Sequence, residues 1–320
     1  MRFLVTGAGL VGTEVARLAA ARGDEVALLD ARPGRGYVAW RLGSTPHLIR
    51  ADVSDPLAVD AAVGGAVPDV IVHTAAVVGR RCYRSPALAT RINVAGTATV
   101  VEAAIRHGVG RVVLLSSLAV YAWDRLSPHE PVTEAEPVEP RSLYGVTKLA
   151  AESVGRSLAG ARLPSGRLSV SALRLAGVYG PGQYKGGSAV GAALAGAVAE
   201  AVRVGETRVP TMLGGREYLH ARDAAVAVLA DAATPVEGWR VLNVGSGRAH
   251  SADELAEAVA AAVPHATVTV ADGERPAQQP VLDCAAARRT IGYRPEVRLA
   301  DGLRWLARDA AAEDTLAVVT

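Results

Sequence analysis

The chain has 320 residues, half of them hydrophobic, and a net charge of +2. That is enough for one large domain or two closely joined ones, and with no basic run it leaves no footprint for nucleic acid. Cys82 and Cys284 are the only cysteines, the N-terminus has no signal-peptide layout, and no run of about 18 strongly apolar residues occurs. The expectation is a cytoplasmic protein with no disulfide framework, no metal site and no membrane partner.

Arg2 to Thr6 reads as an apolar strand running into Gly7-Ala8-Gly9-Leu10-Val11-Gly12, the spacing G-x-G-x-x-G. The first glycine permits a tight turn. The second lets the backbone approach a pyrophosphate, and the third lets the following helix pack on the strand. That helix, Leu10 to Arg22, presents unpaired N–H groups and a positive dipole end to phosphates. Glu25 to Asp30 is a second buried strand. Asp30 stands 18 residues after Gly12, where a carboxylate can accept both hydroxyls of the adenosine ribose. Arg32 and Arg35 would suit a 2′-phosphate, but Asp30 would repel it, so NAD is favoured over NADP.

His47 to Ala51 is a third strand, followed by Asp52 and Val53. Asp55 caps a helix to about Ala66, with Pro56 in its first turn. Asp69 to His73 is a fourth strand, leading into Thr74-Ala75-Ala76, small residues that leave room for a cofactor backbone. Ser85-Pro86 opens a long helix to His107, and Arg111 to Leu115 is a fifth strand ending in Ser116-Ser117. Near-continuous apolar strands alternating with helices predict an α/β fold, a Rossmann-type doubly wound parallel sheet.

Trp123 to Arg141 carries Pro128, Pro131, Pro137 and Pro140 with four glutamates, and reads as a surface loop rimming the site. Ser142 starts a helix with Tyr144 and Lys148. Ser169 to Leu175 is a strand, followed by a glycine-rich stretch to Gly187 and a helix from Ser188 to Val204. Arg216 to Asp223 is a short segment, Ala224 to Ala232 a helix and Arg240 to Val244 a strand. Ser251 and Glu254 have capping-box spacing. A strand from Thr267 to Val270 precedes short helices ending near Asp309, and Glu313 to Thr320 is a frayed tail.

Tyr144-Gly145-Val146-Thr147-Lys148 is a Y-x-x-x-K pair, which a helix puts on one face. An ammonium beside a phenol favours the phenolate, so Tyr144 is expected to have a lowered pKa and to exchange a proton with a substrate hydroxyl. Ser117 ends a parallel-type strand, where open α/β sheets place their sites, and can hydrogen-bond the same hydroxyl.

Taken together, the Gly7–Gly12 loop, Asp30, Asp52, Ala75-Ala76, Asn93 in Asn-Val-Ala-Gly-Thr, Ser117 before Ala119-Val120-Tyr121, and Tyr144/Lys148 resemble the extended short-chain dehydrogenase/reductase family. Leu173-Arg174, Val178-Tyr179-Gly180-Pro181-Gly182, Arg216-Glu217-Tyr218-Leu219-His220 with Asp223, and Asn243-Val244-Gly245-Ser246-Gly247 are similar to its nucleotide-sugar epimerase/dehydratase branch. The resemblance implies an NAD-binding Rossmann domain over 1–175, to which 217–248 return, a substrate domain from 176–216 and 249–312, and a tail at 313–320. It implies that Tyr144 is the acid/base, Ser117 its partner, and Lys148 its activator and a ligand of the nicotinamide ribose. Asp52 and Val53 would lie near adenine, with Ala75, Ala76 and Asn93 also lining the cofactor. Gly177 would fall at the substrate, and Arg216 and Arg275 would hold its diphosphate. Relatives often form homodimers through the helices from Pro86 and around Tyr144, where Val100, Ala103, Ala104, Ala150, Val154 and Leu158 offer small apolar faces that core packing explains equally well.

Several positions depart from that pattern. The glycine loop is one residue shorter than T-G-x-x-G-x-x-G. Gly177 stands where many epimerases have a substrate-binding asparagine, and Ala277-Gln278 where Gly-Asp is common. Leu118-Ala119 replaces the Asp-Glu pair of 4,6-dehydratases, which argues against loss of water. The expected activity is an NAD-dependent nucleotide-sugar epimerase, C4 being the favoured carbon, acting by transient oxidation to a keto-sugar. The alternative is a net NAD(P)-dependent dehydrogenase or reductase on a sugar, sugar acid or secondary-metabolite carbonyl. A third reading, an NAD(P)-sensing regulator, is disfavoured by intact Ser117, Tyr144 and Lys148. Specificity would lie in Gln183 to Gly187 and Thr207 to Gly215.

Overall fold

Short runs of branched apolar residues, each followed by a glycine turn or a helix cap, build a seven-stranded parallel sheet in the computed structural model, which describes residues 1–43, 46–182 and 188–319. The first part runs β1 (Arg2–Thr6), α1 (Leu10–Ala21), β2 (Glu25–Asp30), α2 (Arg35–Leu42), β3 (His47–Arg50), α3 (Pro56–Ala66), β4 (Val70–His73), α4 (Arg80–Arg84) and α5 (Pro86–Thr90). It continues with α6 (Gly96–Arg106), β5 (Arg111–Ser117), α7 (Leu143–Leu158), the hairpin β6 (Arg162–Leu163) and β7 (Gly166–Arg167), and β8 (Ser169–Leu175). Then come β9 (Gly177–Tyr179), α8 (Ala189–Val204), β10 (Glu206–Val209), β11 (Arg216–His220), α9 (Ala221–Ala233) and β12 (Trp239–Val244). The chain closes with β13 (Ala249–His250), α10 (Ala252–Ala262), β14 (Thr267–Val270), α11 (Ala285–Ile291) and α12 (Leu299–Val319).

The sheet order is β12-β8-β5-β4-β1-β2-β3, every pair parallel. Alternate residues of one strand feed opposite cores. Phe3 and Val5 pack with Val15 and Ala19 of α1 and Val228 of α9, whereas Leu4 packs with Val59 and Val63 of α3 and Val100 and Ala104 of α6. A strand buried on both faces has no polar side to show, which is why these runs read as continuous apolar sequence. The order reverses between β1 and β4, and that switch point opens a crevice beyond the carboxyl ends of the strands. A third core joins α8, α10 and α12 to the β10–β14 pair through Leu194, Val198, Leu255, Val259 and Leu303.

Local capping follows the sequence closely. Asp55 accepts from Leu57 N and Ala58 N, Ser142 from Gly145 N, and Ser251 with Glu254 closes a capping box. The helix expected from Pro86 to His107 is divided by a π-helical stretch, Arg91–Ala95, that contains Asn93. The loop from Trp123 to Arg141 is pinned: Val132 N donates to Val281 O at 2.8 Å, and Glu134 accepts from Asn243 N at 2.7 Å. The last helix continues to Val319, beyond the expected stop near Asp309, because Ala310 to Glu313 are strong helix formers. Val100, Ala103 and Ala104 are buried within the chain, so core packing accounts for them. Gln183 to Gly187 lie outside the described residues.

Candidate active site

The crevice at the switch point is floored by the glycine loop. Gly7 has φ +92°, and a Cβ there would lie 2.7 Å from Ala75 N. A Cβ on Gly12 would run into the Gly7 carbonyl oxygen, so the β1–α1 turn closes only with glycine at both places. At Gly9, by contrast, a Cβ would meet nothing within 4 Å. The α1 N-terminus has no capping side chain and no acidic residue in its first turn. Its leading N–H groups therefore face open space at Gly9, which suits a pyrophosphate. Asp30 closes the end of β2: Oδ2 accepts from Ala8 N at 2.8 Å and Oδ1 from Arg32 N at 2.7 Å, leaving each oxygen a lone pair for a ribose hydroxyl. Asp52 binds Ser54 N and Oγ, and this turn holds its carboxyl below the usual range against the opposing effect of partial burial. Val53 is buried against Gly96. Ala75 and Ala76 are half-buried at the end of β4. These features fit a dinucleotide.

Asn93 does something other than line a cofactor with its side chain. Its Oδ1 accepts from Val77 N at 2.7 Å, and Nδ2 donates to Val77 O and Thr147 Oγ1, both at 2.9 Å. With both amide hydrogens spent, it ties the loop after β4 to α7.

Ser117, Tyr144 and Lys148 come together where β5 ends against the start of α7. The Ser117 hydroxyl lies beside the Tyr144 phenol, and its Oγ accepts from Ala119 N at 3.2 Å. Lys148 is 6% exposed and donates to Leu115 O at 2.7 Å, with Nζ 5.9 Å from the Tyr144 ring centroid. Burial pushes the Tyr144 phenol up to about 12, partly offset by the neighbouring Ser117 hydroxyl. The lowered phenol expected from the Y-x-x-x-K spacing is thus outweighed by desolvation. Burial also pulls Lys148 down to about 8, opposed by the charge of Glu152.

Four neighbours of this cluster were not singled out as site residues from the sequence: His73, Cys82, Glu152 and Arg174. His73 is wedged between Thr6 Oγ1 at 2.7 Å and Thr97 Oγ1 at 3.1 Å, and burial takes it to about 3, so it is neutral. Cys82 donates to Val77 O and packs beside Tyr144, its thiol pushed up by burial. A signal for the importance of Lys148 stood in the composition. Of 34 cationic residues only Lys148 and Lys185 are lysine, and arginine does not release its proton in proteins.

The substrate-side residues are more dispersed. Arg216 donates to Met212 O at 3.2 Å and to Gln279 Oε1 at 3.4 Å, while exposed Arg275 is paired with Asp253 of α10. The two guanidinium groups therefore have different partners. At Gly177 a Cβ would lie 2.9 Å from Glu217 O, because β9 runs tightly beside β11. That contact excludes an asparagine side chain on this backbone and leaves Gly177 only main-chain groups to offer. A cavity of about 590 Å³ lined by Tyr218, Arg248, His250 and Arg298 contains none of the predicted site residues.

Residues 3–245 match the family described as NAD dependent epimerase/dehydratase. The chain belongs to that family. A dTDP-L-rhamnose 4-epimerase of Burkholderia thailandensis is 30% identical over 96% of this chain and 95% of its own length. A UDP-glucose 4-epimerase of Mycolicibacterium smegmatis is 34% identical over 95% and 96%. The solved UDP-glucose 4-epimerase of Thermus thermophilus, in complex with NAD, is 29% identical, with a TM-score of 0.79 over 97% of this chain and 99% of that one. Membership makes this an NAD-dependent α/β enzyme of the epimerase/dehydratase kind, the Rossmann architecture expected from the strand pattern. Among the described residues no helix is long and apolar enough to cross a membrane.

Proposed function

We propose that the chain is a nucleotide-sugar 4-epimerase in which Tyr144 is the acid/base. The observation that carries this reading is the meeting of Ser117 and Tyr144 beside buried Lys148 at the carboxyl end of β5, with Leu118 and Ala119 next in the chain. The two residues after Ser117 bear no carboxyl group for removing water, which favours epimerisation over dehydration. The same triad serves a net dehydrogenase.

Bound NAD supplies reversible hydride exchange with the sugar carbon. As its phenolate, Tyr144 Oη takes the hydroxyl proton as that carbon is oxidised and returns it when the carbonyl is reduced; the Lys148 ammonium and the positive charge of an oxidised nicotinamide would favour that phenolate against the burial that raises the phenol. Ser117 Oγ orients the sugar oxygen, and the Lys148 ammonium, with one hydrogen on Leu115 O, has others to offer the nicotinamide ribose. Gly7, Gly9, Leu10, Val11 and Gly12 would hold the pyrophosphate, Asp30 the adenosine ribose, and Asp52 and Val53 the adenine. Asn93 braces the cleft wall. Arg216 and Arg275 would clamp the substrate diphosphate after Arg275 leaves Asp253. Residues 176–216 and 249–312 form the substrate-binding part. A homodimer through α6 and α7 is supported by Val146, 48% exposed on α7 one turn before half-buried Ala150. A cytoplasmic location accords with the free cysteines Cys82 and Cys284.

The test is a panel of nucleotide sugars followed by product analysis and by absorbance of reduced nicotinamide. Epimer formation without accumulating reduced cofactor is expected, and Tyr144→Phe should abolish it while NAD still binds. Stoichiometric reduced cofactor would make the enzyme a dehydrogenase instead. Turnover that survives Tyr144→Phe would remove Tyr144 from its role.

A further inference from the structure

A buried ion pair lies behind the Ser117–Tyr144–Lys148 cluster, and the chemistry above does not use it. Glu152 follows Lys148 by one turn of α7, on the same face, and is 5% exposed. Its Oε1 accepts from Arg174 Nε at 3.0 Å and its Oε2 from Arg174 Nη2 at 2.8 Å, a bidentate pair with an arginine of β8 that is itself 6% exposed. Oε1 also accepts from Ser116 Oγ, the neighbour of Ser117 on β5. Arg174 Nη1 donates to Tyr121 Oη at 2.9 Å, and Tyr121 donates to Asn243 Oδ1 at 2.8 Å. The carboxylate is therefore held from β5, β8 and α7 at once.

A buried pair of this kind is weak evidence for stability, since apolar residues of similar volume often do as well or better. Its placement points to another use. The groups facing Lys148 are Tyr144 on α7, Cys82 from α4, His73 from β4 and Glu152. Burial keeps the phenol and the thiol protonated and the imidazole neutral. Glu152 alone among these four opposes the ammonium with a negative charge, and Arg174 is bonded to that carboxylate. Among the described residues no hydrogen bond joins Glu152 to Lys148. Clamped elsewhere, the carboxylate supplies a field and leaves the ammonium hydrogens free for other partners.

We propose that Glu152, clamped by Arg174 and Ser116, is the positioning residue that keeps Lys148 protonated beside Tyr144. The inference rests on the roles given above to Tyr144 and Lys148. A lysine that lost its proton in this pocket would no longer favour the phenolate or donate to a ribose hydroxyl, so the clamp extends the working range toward high pH.

The chain has two lysines, Lys148 and Lys185, so protein labelled with carbon-13 at lysine Cε gives two resonances, and Lys148→Arg identifies the one it removes. In the wild type the Lys148 resonance should titrate near about 8. In Glu152→Gln, which keeps the shape and removes the charge, the midpoint should fall by about one pH unit. In Glu152→Asp, which keeps the charge, it should stay near the wild-type value. The basic limb of kcat/KM for epimerisation should move down with the midpoint in Glu152→Gln. An unmoved Lys148 midpoint in that variant overturns the proposal, because a carboxylate with a purely structural part would change stability and leave the titration alone. If Glu152→Gln does not fold, the double variant Glu152→Gln/Arg174→Gln is compared with Arg174→Gln, so that the two proteins differ only in the carboxylate, and an equal Lys148 midpoint in both overturns the proposal. A midpoint that falls in a protein whose wild type converts no nucleotide sugar upholds the field of Glu152 and overturns only the epimerase reading.

Discussion

Replacing Lys148 with Met should make the protein both inactive and more stable. Lys148 is 6% exposed, and burial takes its pKa from 10.5 to about 8. At about 1.4 kcal/mol per pH unit, keeping this group charged at pH 7 costs the fold about 3 kcal/mol. Met preserves the apolar stem. The Leu115 carbonyl loses the ammonium that donates to it at 2.7 Å, which costs about 1 kcal/mol. The net expectation is a gain of about 2 kcal/mol. The sign depends on pH in a defined way. Below about 8 both folded and unfolded wild type carry the proton, and the whole penalty is present. From there to 10.5 the unfolded chain holds a proton that the folded chain has released, so wild-type stability rises with pH relative to the variant. Urea unfolding of both proteins without cofactor, at pH 7 and pH 10, reads this directly. Groups that do not face Lys148 titrate alike in the two proteins and cancel from the difference. A variant no more stable at pH 7, or an advantage that fails to shrink at pH 10, would refute the reasoning.

Three further substitutions probe the cleft. Gly12→Ala puts a methyl group into the Gly7 carbonyl and against Thr74, so the β1–α1 turn must open; we expect NAD binding to be lost and the urea midpoint to fall by an amount equivalent to about 2–3 kcal/mol. Asp30→Asn exchanges an acceptor oxygen for an amide that cannot receive both Ala8 N and Arg32 N, so calorimetric titration should show about a tenfold weaker NAD affinity and a smaller preference over NADP. Gly177→Asn, which restores the residue common in related epimerases, brings a Cβ to 2.9 Å from Glu217 O; thermal unfolding should show a lower midpoint, and turnover should not improve.

The readable parts of the site were those whose chemistry is local. The glycine loop, the carboxylate at the end of β2 and the Y-x-x-x-K pair each depend on residues within a turn or a single strand–helix step. The structure assembles them around one crevice. Asn93 shows the limit. It stood at the right place in the chain, yet its amide is spent on Val77 and on Thr147, 54 positions away, a partnership no local pattern announces. Arg275 likewise matched its context and is found paired with Asp253. Glu152 and Arg174 lie 22 residues apart and meet only because α7 packs against β8.

By itself the sequence determined the alternation of strands and helices, most helix caps and the residues proposed to react. These follow from backbone geometry and from side chains acting on near neighbours. Tertiary structure decided the charge states. Tyr144 near 12, Lys148 near 8 and His73 near 3 are set chiefly by how far each group is removed from water. It also decided that a side chain at Gly177 would press on the backbone of β11, which would have to shift to admit it. Desolvation and close approach are properties of elements distant in the chain, so they exist only once the sheet and its covering helices have come together.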